Sequence, residues 1–442
     1  MSRTLIQSTL LGTVLILGGL SRGYASEIPN PCSSLGPVRV AVILASYNGA
    51  PSTSSIPNAT YVRELMLGEH HDFSVADFFK TVSNLNTQFT SIKILGPYHR
   101  AKPFTANTAT PGGIYTAMNQ WQFDLIEMAK QDQDFTEIDR VVFITPNAID
   151  ALGNAIMMGA GMAGQGICDL DTVNSLGVHH PVAHAWILAR PEYKGINLAQ
   201  VAGTSTLPPA QLEQAIRKQM MSDMAPIIHE LGHTFGFGHA NQVNRPQPNY
   251  RNRFMNDEIL PSAEDTLYQN SYADPFSAMG SNQIQWLNIA HLSQVKWIET
   301  TQIEEVRKDR VYRIYPLELN DHKLKGLRIP RIVNDPNEKT DATIWVEYRK
   351  RLSVYDSDIT GIHHSTDGAI VHYTNPHQPG PNSIWPLETV LLNFHPSGQP
   401  INPYETDLTL TTRWKDEHSQ VSLEVLAATP DYLDIKVAFK RD

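Results

Sequence analysis

The sequence predicts an α+β fold in two parts, strands and helices over residues 38–305 and an all-β, sandwich-like part over residues 306–442. Three observations carry this. A chain of 442 residues is longer than one hydrophobic core usually supports. From Val38 to Thr145 strand-like and helix-period segments alternate, the pattern of an α/β layer. From about Val311 the texture changes to short strand-like runs between Pro-, Asn-, Asp- and Gly-rich turns, the pattern of packed antiparallel sheets. The charged stretch Glu304 to Arg310 has no apolar face and marks the boundary.

In chain order, residues 1–26 read as an export signal. Arg3 supplies a positive start, Leu5 to Leu20 is mostly apolar, and Gly23 and Ala25 offer the small residues that cleavage after Ala25 requires. The alternative is an uncleaved anchor, but the run is short for a span of about 20 residues. The expectation is a secreted or periplasmic protein with no stable membrane association after cleavage; no later segment is apolar enough to cross a bilayer. The two cysteines, Cys32 and Cys168, leave three arrangements open: a disulfide between them, a Cys32 thiolate capping a metal in a latent form, or free thiols. Against the second, Glu27 to Val38 is too short for a folded prodomain.

Val38 to Leu44 reads as a buried strand, Asp72 to Leu85 as a helix capped by Ser74, and Ser91 to Gly96 as a strand ended by Gly96-Pro97. Tyr115 to Lys130 is an amphipathic helix and Arg140 to Thr145 an apolar strand. Gly153 to Asp171, rich in Gly, Met and Ala, reads as loop, and Val182 to Leu188 has strand character. Pro208 to Met221 is expected as one helix, with a second starting near Ser222 or Asp223 and tolerating Pro226 in its first turn. Beyond the boundary, strands are expected at Val311 to Ile314, Thr343 to Tyr348, Ala369 to Tyr373, Thr389 to Phe394, Ser419 to Leu426 and Tyr432 to Phe439.

The second of those helices carries the chemistry. Residues 229–239 read His-Glu-Leu-Gly-His-Thr-Phe-Gly-Phe-Gly-His. Residues four apart share a helix face, so His229 and His233 can converge on one zinc ion. Glu230 projects beside the metal, placed to act on a bound water as general base. Gly236 falls where the helix must stop and reverse, and the turn brings His239 round as third ligand. Three protein ligands leave a fourth position open for water, as in catalytic zinc sites. A bare His-Glu-x-x-His arises by chance; the downstream glycine and third histidine at these offsets make coincidence the poorer explanation.

This elongated motif resembles that of metzincin zinc peptidases, and its surroundings resemble the gametolysin family. Tyr272-Ala-Asp-Pro-Phe-Ser-Ala-Met279-Gly280 is similar to that family's methionine turn, which would set Met279 as an apolar floor beneath the imidazoles. Asn288 to Trp297 is similar to the helix after the turn, with Lys296 where the family carries glycine, and no tyrosine follows Met279 as a further ligand. Trp345-Val-Glu-Tyr-Arg349 and Gly368-Ala-Ile-Val-His372 resemble modules that follow such catalytic domains. The resemblance implies a metzincin-like catalytic domain, and a substrate-pairing edge strand near Val182 to Leu188.

Other histidines have plainer readings. His70-His71, His179-His180 and His363-His364 are adjacent pairs whose side chains diverge on a strand, so they read as surface or loop residues, and His184 reads as packed. Glu347 and Arg349 alternate on one strand face as structural partners, and Asp335 to Asp341 reads as a solvated turn rather than a calcium loop. The net charge of -10 and the lack of a basic run exclude a nucleic-acid binder. The expected function is zinc-dependent endopeptidase acting on protein or glycoprotein substrates of the cell exterior or wall, with zinc as cofactor. Two rivals stand beside it: a zinc hydrolase of a non-peptide amide, and an adhesin with a vestigial zinc site. Substrate subsites and oligomeric state have no sequence signal.

Overall fold

Alternate residues of the first strand, β1 (Gly36–Tyr47), enter two different cores. Val38, Val40, Val42 and Leu44 face one; Ala41, Ile43, Ala45 and Tyr47 face the other, as the two-residue period of a strand requires. A strand covered on both faces is an almost unbroken apolar run, which is why its sequence is so legible.

The computed structural model describes residues 33–50, 58–106, 113–146, 148–149, 161–163, 170–173, 179–188, 208–243, 269–270, 273–280, 283–331, 342–356, 367–374, 388–392, 394, 408–410, 413–416 and 421–439. Residues 1–26, read as an export signal, and Cys32, Cys168, Tyr272, Asp335 to Asp341 and His363-His364 lie outside the described residues. Among those described, no helix is long and apolar enough to cross a membrane.

After β1 come helices α1 (Ala59–Leu67) and α2 (Val75–Val82), strand β2 (Thr87–Arg100), helix α3 (Gly113–Ala129) and strands β3 (Arg140–Thr145), β4 (Gly161–Ala163), β5 (Leu170–Val173) and β6 (His179–Leu188). The long helix α4 (Pro209–Thr234) follows. The strands lie in the order β2-β1-β3-β6-β4, with β5 also on β6. The first four run parallel, and β4 and β5 pair antiparallel to β6. Trp121 and Leu125 of α3 pack on one face with Phe104, Phe143 and Trp186. Tyr61 and Leu65 of α1, Phe78 and Phe79 of α2, and Met224, Ile227, Ile228 and Leu231 of α4 fill the other. Ser74 caps α2 as expected, its Oγ accepting from the Asp77 amide at 3.0 Å.

Three expectations are corrected here. The helices expected on either side of Ser222 are one helix of 26 residues, with Pro226 in its interior. An interior proline costs about 3 kcal/mol. The burial of Met220, Met221, Met224, Ile227, Ile228 and Leu231 along one continuous face offsets it, each large apolar side chain contributing about 1.5–3 kcal/mol. Asp223 ties the same stretch down, accepting from Tyr61 Oη at 2.5 Å and from Gln219 Nε2 at 2.9 Å. The second correction concerns Gly96-Pro97, which does not end β2. The register slips between Ile43/Leu95 and Ala45/Tyr98, so the dipeptide is a bulge on an edge strand, where a missing N–H is tolerated. Gly96, at φ +91°, has no room for a side chain: a Cβ would lie 2.5 Å from the Leu44 carbonyl. Third, β6 is internal. Within the stretch read as loop, β4 and the residues of β5 up to Asp171 are strand, pairing on its outer side, so among the described residues β4 and β5 form this edge of the sheet.

The second half is built from β7 (Ala240–Val243), β8 (Gln269–Asn270), α5 (Ile289–Gln294), β9 (Ile303–Glu305), β10 (Arg310–Ile314), β11 (Gly326–Pro330), β12 (Thr343–Tyr348), β13 (Gly368–Thr374), β14 (Thr389–Leu391), β15 (Leu408–Thr409), β16 (Arg413–Lys415), β17 (Val421–Ala428) and β18 (Leu433–Phe439). A four-stranded sheet, β10-β18-β17-β16, and an eight-stranded one, β8-β7-β14-β13-β12-β11-β9 with β15 on β13, enclose a core between them. Alternation divides the larger sheet. Ile344, Val346 and Tyr348 of β12 and Ala369 and Val371 of β13 face that core. Trp345 joins the first core, and Ile370 packs with Phe276.

The chain is thus mixed α and β, with several sheets, few helices and a β-rich C-terminal region. The hydrogen bonding does not pause at residues 305–306: β7, just after His239, pairs parallel with β14, and β9 pairs parallel with β11. Residues 31–442 form one compact unit. At the seam Arg349 donates to Glu318 Oε1 (2.5 Å), Asp356 Oδ1 (2.9 Å), Glu347 Oε1 (3.3 Å) and the Phe276 carbonyl (2.9 Å), all buried. Glu347 Oε2 in turn accepts from the amide of Ile289 at the start of α5 (2.6 Å). Glu347 and Arg349 are structural partners, as their spacing on the strand suggests.

Candidate metal centre

The last turns of α4 bring His229 and His233 to one face, their ring centroids 4.9 Å apart. The helix stops in a Schellman turn: Phe237 N–H donates to the Gly232 carbonyl at 3.3 Å and Gly236 N–H to that of His233 at 2.8 Å. Gly236 sits at φ +104°, the left-handed region that glycine enters without strain. The chain reverses and sets the His239 ring 4.8 Å from that of His233 and 5.8 Å from that of His229. One ligand atom from each of the three histidines lies within 4.8 Å of the others, so the group can hold a metal ion.

The donor chemistry fits such an ion. Nδ1–H of His229 donates to the Ala278 carbonyl at 2.9 Å, and Nδ1–H of His233 to that of Phe237 at 2.8 Å. Those bonds set the tautomer and leave Nε2 of each ring as the lone-pair nitrogen. Burial, with the neighbouring His239, pushes His229 down to about 4, although the Ala278 carbonyl pulls the other way. Burial lowers His233 well below the usual imidazole range. Both are therefore neutral at neutral pH, the form in which imidazole binds a metal. Glu230 lies buried one residue after His229, and burial pushes its carboxyl up to about 8. His229 and His239 each keep a small exposed part, so the group keeps an open side.

The turn that carries Met279 lies against this helix. Met279 is fully buried, and a Cβ on Gly232 would stand 2.5 Å from its Sδ. The turn is tied to β7, whose Ala240 N–H donates to the Met279 carbonyl at 3.0 Å. Gly280 admits no side chain, since a Cβ would meet the Asp274 carbonyl at 2.4 Å and that of Ala240 at 2.7 Å. Asp274 accepts from Phe276 N–H at 2.8 Å and, through Oδ2, pairs with His372 Nε2 at 2.9 Å.

No protein-family model matches the chain, and no curated protein matches it. Among solved structures it is similar to catalytically inactive OgpA from Akkermansia muciniphila in complex with an O-glycopeptide (glycodrosocin). The likeness covers 82% of this chain and 94% of that one, at 9% identity and a TM-score of 0.24. Wild-type OgpA from the same organism compares at 11% identity and a TM-score of 0.26, over 78% and 90% of the two chains. Overlaps this shallow leave the site to its own residues.

His179 and His180, read as surface or loop residues, instead open strand β6. His180 Nε2 lies 2.9 Å from the Ile138 carbonyl, and His184 packs edge-on to Phe143. His70 is bound twice by Glu64, through its amide and Nδ1, both at 2.8 Å. Glu69 stands close enough for these three to form a second possible metal group, but Glu69 and His70 are exposed.

Two supports of the site had no sequence signal. Arg140, fully buried, donates through Nε to Thr234 Oγ1 at 3.0 Å and lies 4.0 Å over the Phe235 ring, bracing the end of α4. Glu388 stands 3.7 Å from His239 Nδ1. An Arg that opens an apolar strand reads as its solvated end, and nothing relates Glu388 to a histidine so distant in sequence.

Proposed function

We propose that the chain is an exported, zinc-dependent endopeptidase of metzincin type, with His229, His233 and His239 as ligands and Glu230 as general base. One observation carries the reading: three histidines converge, the first two with Nδ1 bonded to carbonyls, beside a buried carboxylate. Zinc held there would polarise the scissile carbonyl and make water acidic enough to react at neutral pH. Glu230 takes the proton of the attacking water and returns it to the leaving amine nitrogen. A divalent cation beside it would offset the burial that raises its pKa, favouring the carboxylate form needed for the first transfer. The backbone carbonyls of Ala278 and Phe237 hold the two helix rings in orientation. Met279 packs against Gly232 between them, and Gly236 makes the turn that delivers His239.

The edge strand β4 lies next to α4 and has one unpaired side among the described residues. An extended peptide adding to it would be held by backbone hydrogen bonds and selected by side-chain pockets. The proposed substrates are proteins or glycoproteins outside the cell.

The test is cleavage of casein and of a mucin-type glycoprotein by the chain from residue 27, beside Glu230→Ala, with zinc measured on both. Turnover by wild type alone, with about one zinc in each protein, is the expected result. Zinc binding without cleavage of either substrate would overturn the peptidase reading and favour a non-peptide amide or a binding role.

A further inference from the structure

We infer that Glu388, at the entrance to β14, is a positioning residue for His239, so that the C-terminal β-rich region completes the metal centre. The inference rests on the zinc reading above and concerns where its third ligand gets its support.

His229 and His233 find Nδ1 acceptors in the carbonyls of Ala278 and Phe237. His239 lies on the other side of the turn, and there a carboxylate is provided. Glu388 Oε1 is 3.7 Å from His239 Nδ1, while Oε2 accepts from Asn241 Nδ2 at 3.1 Å. At 3.7 Å the first contact is an ion-pair distance rather than a hydrogen bond, so it acts through charge, favouring a proton on Nδ1 and the lone pair on Nε2.

The approach is built into the backbone. Thr389 N–H donates to the His239 carbonyl at 3.0 Å. Parallel pairing then runs from Ala240/Thr389 through Asn241/Val390 to Gln242/Leu391, so Glu388 and His239 enter the sheet side by side. Thr389 Oγ1 accepts from Asn288 Nδ2 at 2.8 Å, and Asn288 is the N-cap of α5. Both side chains are largely covered, about an eighth exposed (13% for His239 and 12% for Glu388), which strengthens a charge interaction over its value in water. The plainer role for Glu388 is as a structural partner of Asn241 alone.

The experiment separates the two. Full-length wild type, Glu388→Gln, Glu388→Ala and Asn241→Ala are compared by zinc affinity (competition with a chromophoric chelator), by the visible spectrum of the Co(II)-loaded protein, and by metal-free melting. Glu388→Gln keeps an acceptor for Asn241 but removes the charge. It should weaken zinc binding about ten-fold and Glu388→Ala up to about a hundred-fold. The Co(II) bands should shift in both while the metal-free melting curves stay close to wild type. If Glu388→Ala does not fold, Glu388→Gln decides. Wild-type zinc affinity and an unchanged Co(II) spectrum in the glutamine variant would overturn the inference and leave the zinc site standing, as would a loss confined to Asn241→Ala. A wild type that binds no zinc would sink the zinc reading itself, and the inference with it.

Discussion

Met279 occupies the space that a side chain on Gly232 would need: a Cβ there would lie 2.5 Å from Met279 Sδ and 3.3 Å from Cε. The helix that carries His229 and His233 and the turn that supports them therefore meet at a glycine. Gly232→Ala gains up to about 1 kcal/mol of helix propensity. It also forces Met279 out of a fully buried site whose turn is held by Ala240 and by the side-chain-free Gly280. Overpacking of this kind costs about 1–3 kcal/mol, so the net change is destabilising. The Ala278 carbonyl that holds His229 sits on the displaced turn, so on the zinc reading proposed above zinc affinity should fall as well. A double-mutant cycle with Met279→Ala should show a double variant less damaged than the sum of the singles. Additive losses would mean that the contact is not the cause.

Lys296 offers the opposite test. Its N–H donates to Ser293 and that of Trp297 to Leu292, which makes Lys296 the left-handed residue of the Schellman turn closing α5, at φ +62°. A side chain in that conformation costs about 1–2 kcal/mol relative to glycine. Lys296 is exposed, and Lys296→Gly removes the strain without opening a cavity. Thermal unfolding should move up by the equivalent of about 1 kcal/mol, with zinc binding unchanged; no gain would show that the turn relaxes by another route.

The convergence of His229, His233 and His239 was readable in the sequence because it depends on local geometry: a four-residue spacing on a helix, then a glycine turn. The strands of the two cores were readable for a similar reason, since near-continuous apolar runs such as Val38 to Leu44 and Thr343 to Tyr348 report burial on both faces directly. What was missed depends on partners distant in sequence. Pro226 looked like a helix start because local propensity does not register the burial that carries α4 through it. Gly161–Ala163 is too short, and Ala240–Val243 both short and mixed in polarity, to announce a strand, and they exist because β6 and β14 lie beside them. Glu388 is the plainest case, a lone carboxylate until β7 and β14 pair.

His372 and Asp274 make stability depend on pH. Burial works against the His372 cation, but the carboxylates of Asp274 and Glu347 outweigh it and hold its pKa above the ordinary value. A raised histidine pKa adds stability that is fully present below about 6.5, the unfolded value, and is lost as pH rises through the folded value. His372→Gln removes the titration and keeps a possible donor to Asp274. Melting temperatures of the two proteins from acid to mildly alkaline pH should differ most at the acid end and approach one another as pH rises. A constant difference across the range would mean that His372 stays neutral in the fold.

Arg349 bonds Glu318, Glu347 and Asp356 at the seam between the Met279 turn and the β-rich region. Removing one partner of such a buried group leaves charges with neither water nor a counter-ion, a loss of about 3–5 kcal/mol. Arg349→Met keeps much of the volume and deletes the charge, together with the donor to the Phe276 carbonyl. Burial already pushes Glu318 up to about 7 against the pull of Arg349, and it raises Asp356 as well. Without the guanidinium both carboxyls rise further. Carboxyls raised in this way are neutral in the fold at acid pH, so the variant's deficit should be smallest near pH 4–5, close to the unfolded carboxylate values. It should grow as pH rises through neutrality, because each group must then either ionise in a buried site or hold a proton that the unfolded chain gives up. Denaturant unfolding of wild type and variant at three or four pH values reads this directly. A deficit independent of pH would assign the loss to packing and to the Phe276 carbonyl instead of to the three carboxylates.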